Sequence, residues 1–395
     1  MAFMGSLQVF LPDFPRQSPP NTHELVANAR IKHPALLTTN PSKPGGDFEY
    51  TPLPLAEPAD LLPDPAKPLR AARWYFKAAS RQEVLDLFKT SGLTHEQRET
   101  LLDPESWEVA SNGFNVFPKP KVLLEMSPTA RERIYSVLDD YPANPTQCNP
   151  FRFRPAGFED WLVQTGLGRE QQDLVRKLTY RQGESLCFCD AALVQGLFPR
   201  DDFKRLVKAL YGERTFLMRI RLTPETDIDG LIRYWGQTSH ARAMRPLLES
   251  MAQIPGGTSV NVSYFLPPFA RARLYTYADP TADPGASQQN CYWTAMNFFN
   301  EKPDDRFLDL TYVRRVLARD YQPASGSAQF GDLMTVEDGK GRLLHMCVYL
   351  ADDVVFTKNG RDSIDPWVLM KIPDMMACYQ TKEPAHFAFF RSKKG

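Results

Sequence analysis

The sequence predicts an α+β protein in which a mainly helical segment precedes a C-terminal module, where a cysteine-bearing helix packs on a small antiparallel sheet. Three observations predict it. Ser80-Arg81-Gln82-Glu83 and Thr94-His95-Glu96-Gln97 each place a capping box ahead of an apolar run. Asn290 stands immediately before Cys291 and the amphipathic stretch through Phe299, where an asparagine side chain can cap a helix. Finally, Leu343 to Leu350 alternates apolar residues between two polar turns, the period of a strand.

Taken in order, residues 1–69 read as a proline-rich N-terminal arm, because the prolines from Pro12 to Pro68 repeatedly interrupt helix formation. Leu36, Leu37, Phe48, Tyr50 and Leu53 give this arm enough apolar residues to wrap along the surface of the helical segment. Met1 to Phe10 has no basic stretch before an apolar core, so no signal peptide is expected. The expected location is cytoplasmic, or the cell envelope or exterior if a signal peptide has been removed.

Residues 70–273 read as mainly helical. The two capping boxes open helices carrying Val84, Leu85 and Phe88, then Leu101 and Leu102, and Ser127-Pro128 opens a third with Ile134, Val137 and Leu138. Further helices are expected at Glu159 to Gln164, Arg169 to Leu178 and Asp201 to Tyr211, with Gly166-Leu167-Gly168 as a turn between two of them. One strand is expected, Thr215 to Leu222, with Phe216, Met218, Ile220 and Leu222 inward. Pro267-Pro268 and the stretch Pro280 to Ser287 read as linker material.

Residues 274–395 form the C-terminal module. The helix from Cys291 places Cys291, Thr294, Ala295, Phe298 and Phe299 on one face. Asp332 to Val336, Leu343 to Leu350 and Val354 to Lys358 read as an antiparallel meander. Alternation puts Leu344, Met346, Val348 and Leu350 on one side and His345, Cys347 and Tyr349 on the other, while Val355, Thr357 and Asn359 share a face.

A cysteine at a helix start followed by a histidine on a strand suits thiol chemistry, since a helix N-terminus favours the thiolate. These residues resemble the NlpC-type cysteine peptidases, compact papain-like hydrolases that cut amide bonds in cell-wall peptides. The resemblance covers roughly Leu274 to Tyr379 and rests on Cys291, on Gly331-Asp332-Leu333 at the start of a strand, and on His345 with Val348-Tyr349-Leu350. It implies Cys291 as nucleophile and His345 as base. It also implies Asn359 or Thr357 as the polar residue that orients the imidazole, and Tyr277, or else Tyr275, beside the oxyanion site. No cofactor is implied, and the substrate would be a peptide or a peptidoglycan fragment. The chain departs from the family in reading Asn290-Cys291-Tyr292-Trp293 where aspartate-cysteine-serine-glycine is usual, and Asp283-Pro284-Gly285 where a glycine pair is usual. Tyr292 and Trp293 are therefore expected to shape the groove. Trp235, with Arg242, Arg245, Arg271 and Arg273, would supply a wall for substrate carboxylates. The alternative class is a papain-like module without turnover, acting as a binding or scaffold protein, which two bulky rings beside the thiol favour.

Composition limits the other classes. The 47 basic and 47 acidic residues cancel, so no whole-chain field attracts nucleic acid. No run of about 18 apolar residues exists to span a bilayer. The six cysteines are too sparse for a disulfide framework, and Cys187-Phe188-Cys189 lacks the second pair of ligands a metal would need. Oligomeric state is not set by any of these features.

Overall fold

The computed structural model describes residues 45–393 except 57, 59–61, 63–66, 68, 70, 71, 78, 238–241, 280–288 and 380–383. The expected absence of a signal peptide at residues 1–10, most of the proline-rich arm and the linker at 280–287 lie outside the described residues. Within them, helices combine with four sheets whose strand pairs are all antiparallel, an α+β arrangement.

The capping signals translate directly into helix starts. Ser80 accepts from Glu83 N while Glu83 accepts from Ser80 N, at the head of Arg81–Thr90. Thr94 and Gln97 repeat the exchange ahead of His95–Leu102, and Ser127 caps Pro128–Leu138. The helices Pro155–Gln164, Arg169–Leu178 and Arg200–Tyr211 come next. Gly166 makes the turn between the first two with a φ of 69°, a conformation that favours glycine.

The middle of the chain is richer in strands than its sequence suggests. Beside the expected strand, the structure holds β2 (Trp74–Lys77), β3 (Trp107–Ala110) and β4 (Gly113–Val116) in one sheet. A second contains β5 (Phe151–Phe153), β6 (Tyr180–Gln182) and β7 (Ser185–Phe188). Each is three or four residues long, too short for alternation to register. The expected strand is β8 (Arg214–Leu222), flanked by β9 (Thr258–Asn261) and by β1 (Asp47–Pro54). The described part of the arm is thus an edge strand, its eight residues paired with β8 from Asp47↔Arg221 to Pro54↔Arg214. Pro267-Pro268, expected as linker, instead starts the helix Pro268–Arg273, since proline fits a first helical position.

The C-terminal sheet has six strands in the order β10 (Tyr321–Pro323), β15 (His386–Ser392), β11 (Leu333–Glu337), β12 (Leu343–Ala351), β13 (Val354–Lys358) and β14 (Trp367–Lys371). The predicted meander forms its centre. Asp352 and Asp353 turn β12 into β13 with φ of 47° and 62°, the left-handed pair that a two-residue hairpin needs. Tyr50 of β1 donates to Asp352 Oδ2 at 2.5 Å, and Lys371 donates to Asp352 O at 2.5 Å, so the edge strand and β14 both hold this turn.

One face of the six-stranded sheet packs through Met346, Val348, Leu350 and Phe356 against the helices Cys291–Met296 and Leu310–Asp320 and the β8 sheet. That single core runs from Met218 to Phe390, so position 274 lies inside continuous packing rather than at a change of core. The opposite face, through Cys347, Val355, Val368 and Met370, packs against the helix Ile372–Cys378.

Candidate active site

Asn290 accepts from Trp293 N at 3.0 Å and so starts the helix Cys291–Met296, which is shorter than the expected run to Phe299. Thr294 and Ala295 are buried with Cys291, whereas Phe299, beyond the helix end, is 40% exposed. The helix meets the sheet at a gap. β12 pairs with β13 only from Val348↔Phe356 to the turn, while β13 continues to pair with β14 through Thr357↔Val368 and Lys358↔Trp367. The two strands therefore part below Val348, and the cysteine helix fills the opening. Tyr292 OH donates to Leu343 O at 3.0 Å, and the Met346 N–H is near enough to the Cys291 sulfur to favour its thiolate. Sheet polarity left unpaired by β13 is in this way satisfied by the helix.

His345 is fully buried on the side of β12 that faces the helix Ile372–Cys378, where the Tyr379 ring stacks on it at 4.2 Å and 19°. His345 Nε2 lies 2.8 Å from Thr357 Oγ1, and Thr357 donates to Asn359 Oδ1 at 3.1 Å. Thr357 has one hydroxyl proton and spends it on Asn359, so its oxygen accepts from His345 Nε2–H. The neutral imidazole then carries its lone pair on Nδ1, which is buried without a hydrogen-bond partner among the described residues.

Burial dominates the electrostatics. It pushes the Cys291 thiol up to about 11, against the pull of the N–H groups of Met346, Tyr292 and Cys291 itself and of the Lys358 ammonium. It pushes the His345 imidazole down to about 3. Burial therefore favours the uncharged form of each group, thiol and imidazole alike, over an ion pair.

The structure brings Cys291, His345, Thr357 and Asn359 around one opening in the sheet and separates others from it. Trp235 is fully buried, donates to Gly45 O at 2.9 Å and packs on Phe265 and Phe330, so it is a core residue and not a substrate wall. Trp293 is 1% exposed and donates to Asp305 Oδ1 at 3.0 Å; the helix turns it into the core, away from any groove. Tyr292 anchors the helix to β12 through its hydroxyl. Arg245 pairs with Asp229 and Glu249 at the surface, while the Arg273 guanidinium lies over the rings of Phe269, Trp293 and Trp367. Tyr277 is half-buried and comes directly after Tyr275 and Thr276, whose backbones exchange hydrogen bonds with Trp367 at the start of β14. Asp332 takes both arms of Arg391, at 2.8 and 2.6 Å, which gives the glycine-aspartate-leucine sequence a structural task. No group of three or more His, Cys, Asp or Glu side chains converges on a metal position among the described residues.

Two contributors escaped the sequence. Tyr379 has no motif to mark it. Lys358 does have a signal, because alternation through Val354 and Phe356 puts a lysine on an inward position of β13. It is fully buried, donates to Asp362 O at 2.7 Å and Gly360 O at 3.3 Å, and lies 5.6 Å from the Trp367 ring. Burial pushes its ammonium down to about 8, with Asp365, Asp362 and Cys291 pulling the other way. Lys358→Met is accordingly expected to raise the midpoint of Cys291 alkylation by about 0.5–1 pH unit. Rates of iodoacetamide labelling against pH measure it; an unmoved midpoint would mean that the ammonium serves only the Gly360–Asp362 carbonyls.

No family model, no curated protein and no solved structure matches this chain.

Proposed function

We propose that this protein is a cysteine hydrolase that cuts an amide bond, with a cell-wall peptide or peptidoglycan fragment as substrate. The observation that carries the reading is the hydrogen-bonded run of imidazole and polar orienter on β12 and β13, with the helix that starts at Cys291 set against the same two strands. His345 Nε2 is tied through Thr357 to Asn359, and the backbone N–H of Met346, the residue after His345, draws the Cys291 thiol toward ionisation. In the reaction the Cys291 sulfur attacks the carbonyl carbon while its proton passes to His345 Nδ1. The imidazolium returns that proton to the leaving amine, and water, deprotonated by the same nitrogen, releases the acyl group from sulfur. The backbone N–H of Cys291 would contribute to holding the oxyanion. Resemblance to the NlpC-type peptidases in residue order supports the substrate class.

A second reading, a papain-like module retired from catalysis that binds or scaffolds, is favoured by one feature: the thiol is only 8% exposed and the imidazole not at all. Incubation with purified disaccharide-tetrapeptide, analysed by mass spectrometry, separates the two. Under the hydrolase reading cleavage occurs and is lost, by on the order of a thousandfold or more, in Cys291→Ala and His345→Ala. A Cys291 that labels no faster with iodoacetamide than Cys148 or Cys378, together with intact substrate, would favour the binding module.

A further inference from the structure

We infer that Glu213 is a positioning residue for the site: by fixing which way the Asn359 amide faces, it places the His345 proton on Nε2 and leaves Nδ1 free to receive the thiol proton. The inference rests on the hydrolase reading only for its chemical consequence; the hydrogen-bond chain stands apart from it. Asn359 Nδ2 donates to Glu213 Oε1 at 3.4 Å and to Met370 Sδ at 3.5 Å. An ionised carboxylate has no proton to give, so the side of the amide facing Glu213 must be its NH2 group. The carbonyl oxygen then faces Thr357 and takes the hydroxyl proton, at 3.1 Å. With its proton spent, Thr357 can only accept from the imidazole, 2.8 Å away, and the ring must carry its proton on Nε2. Reversing the amide would set its oxygen against the Glu213 carboxylate. It would also point an N–H at Thr357, turning the hydroxyl proton toward the ring and moving the imidazole proton to Nδ1, where it blocks transfer from sulfur.

Glu213 lies outside the C-terminal module, between the helix Arg200–Tyr211 and β8, and its carbonyl accepts from Leu55 N at 3.3 Å, just beyond β1. The middle of the chain and its N-terminal strand thereby meet at the residue that orients the base. A papain-like module cut free of residues before 274 would lack this group.

The tautomer can be read without turnover. Protein labelled with 15N-histidine shows the protonation of each ring nitrogen, and His345→Gln identifies the resonances of His345. Wild type is expected to be Nε2–H. Glu213→Leu is expected to shift protonation toward Nδ1 and to slow iodoacetamide labelling of Cys291 on the order of tenfold, because a misplaced proton disables the base. Glu213→Gln, which can still accept from Asn359 through its amide oxygen, should keep the wild-type pattern. A Glu213→Leu protein with wild-type tautomer and wild-type labelling would overturn the inference. Should that variant fail to fold, Glu213→Lys tests the same contact: an ammonium can only donate, so it takes the amide oxygen, turns the NH2 group toward Thr357 and should slow labelling, and adding Asn359→Asp, whose carboxylate accepts from both the ammonium and Thr357, should restore it. Absence of that rescue would also overturn the inference. If the tautomer depends on Glu213 but Cys291 labelling in wild type is indifferent to His345→Ala, the positioning stands and the hydrolase reading fails.

Discussion

Asp190→Ala is expected to destabilise the protein by about 3–5 kcal/mol, the cost of stranding a buried charge. Arg131 is fully buried and Asp190 nearly so, and their side chains are in direct contact. Asp190 Oδ1 also accepts from Tyr135 OH at 2.8 Å, while Arg131 donates to Tyr135 OH at 3.1 Å and to Leu123 O at 2.5 Å. The cluster joins the helix Pro128–Leu138 to the chain just after β7, beneath Trp74, Val122 and Tyr180. Removing the carboxylate leaves the guanidinium with a hydroxyl and a carbonyl and no water to replace what is lost. Replacing both partners, as Arg131→Met with Asp190→Leu, should recover most of the loss, because apolar groups of similar volume carry no desolvation cost. Urea unfolding of the single and double variants measures this. A shift below about 1 kcal/mol for Asp190→Ala would mean that water reaches the guanidinium, and the packing described for this core would not hold in solution.

How much of this was legible in the sequence depended on how local the determining physics is. Ser80, Thr94, Ser127 and Asn290 announce helices because a capping hydrogen bond is made within three residues, and each is observed. The meander was legible because five to nine residues of alternation between glycine- or aspartate-bearing turns leave little choice of register. The strands β2 to β7 were not, being three or four residues stabilised by partners distant in the chain. In the sequence the prolines of the arm read only as interrupting helix, and two of them, Pro52 and Pro54, lie within strand β1. An edge strand needs only alternate N–H groups for its partner, and prolines two apart can both fall on the outward alternation. At the site, alternation gave His345 and Thr357 their strand faces, whereas the roles proposed for them, for Cys291 and for Asn359 came from the resemblance to the NlpC-type peptidases. Glu213 could not be named, since a contact across 146 residues leaves no local trace. Trp235 and Trp293 were placed at a groove because aromatics near a nucleophile invite that reading, whereas their large apolar area drives them into the core.

Lowering the pH from neutral is expected to destabilise the protein through His345, by about 1.4 kcal/mol for each pH unit below about 6.5. The sign comes from the proton count. The folded imidazole is held neutral by burial down to about pH 3, whereas in the unfolded chain it protonates near its ordinary value of 6.5. Between those values the unfolded state binds one more proton, so acid favours unfolding; the His345 contribution is complete above 6.5 and is lost as pH falls toward 3. His345→Gln keeps a donor for Thr357 but does not titrate. The difference between the urea midpoints of wild type and variant at pH 4, 5, 6 and 7 should therefore isolate this histidine, with the wild type losing ground steadily as pH falls. The same experiment decides the resting state of the site. A thiolate-imidazolium pair would raise the folded histidine above its unfolded value, and the wild type would then gain on the variant as pH falls to about 6.5 and hold that gain at lower pH until the thiolate itself protonates. Steady loss instead means that thiol and imidazole rest neutral behind the ring of Tyr379. The proton would then cross from sulfur to nitrogen only during attack, when a bound carbonyl supplies a place for the negative charge to go.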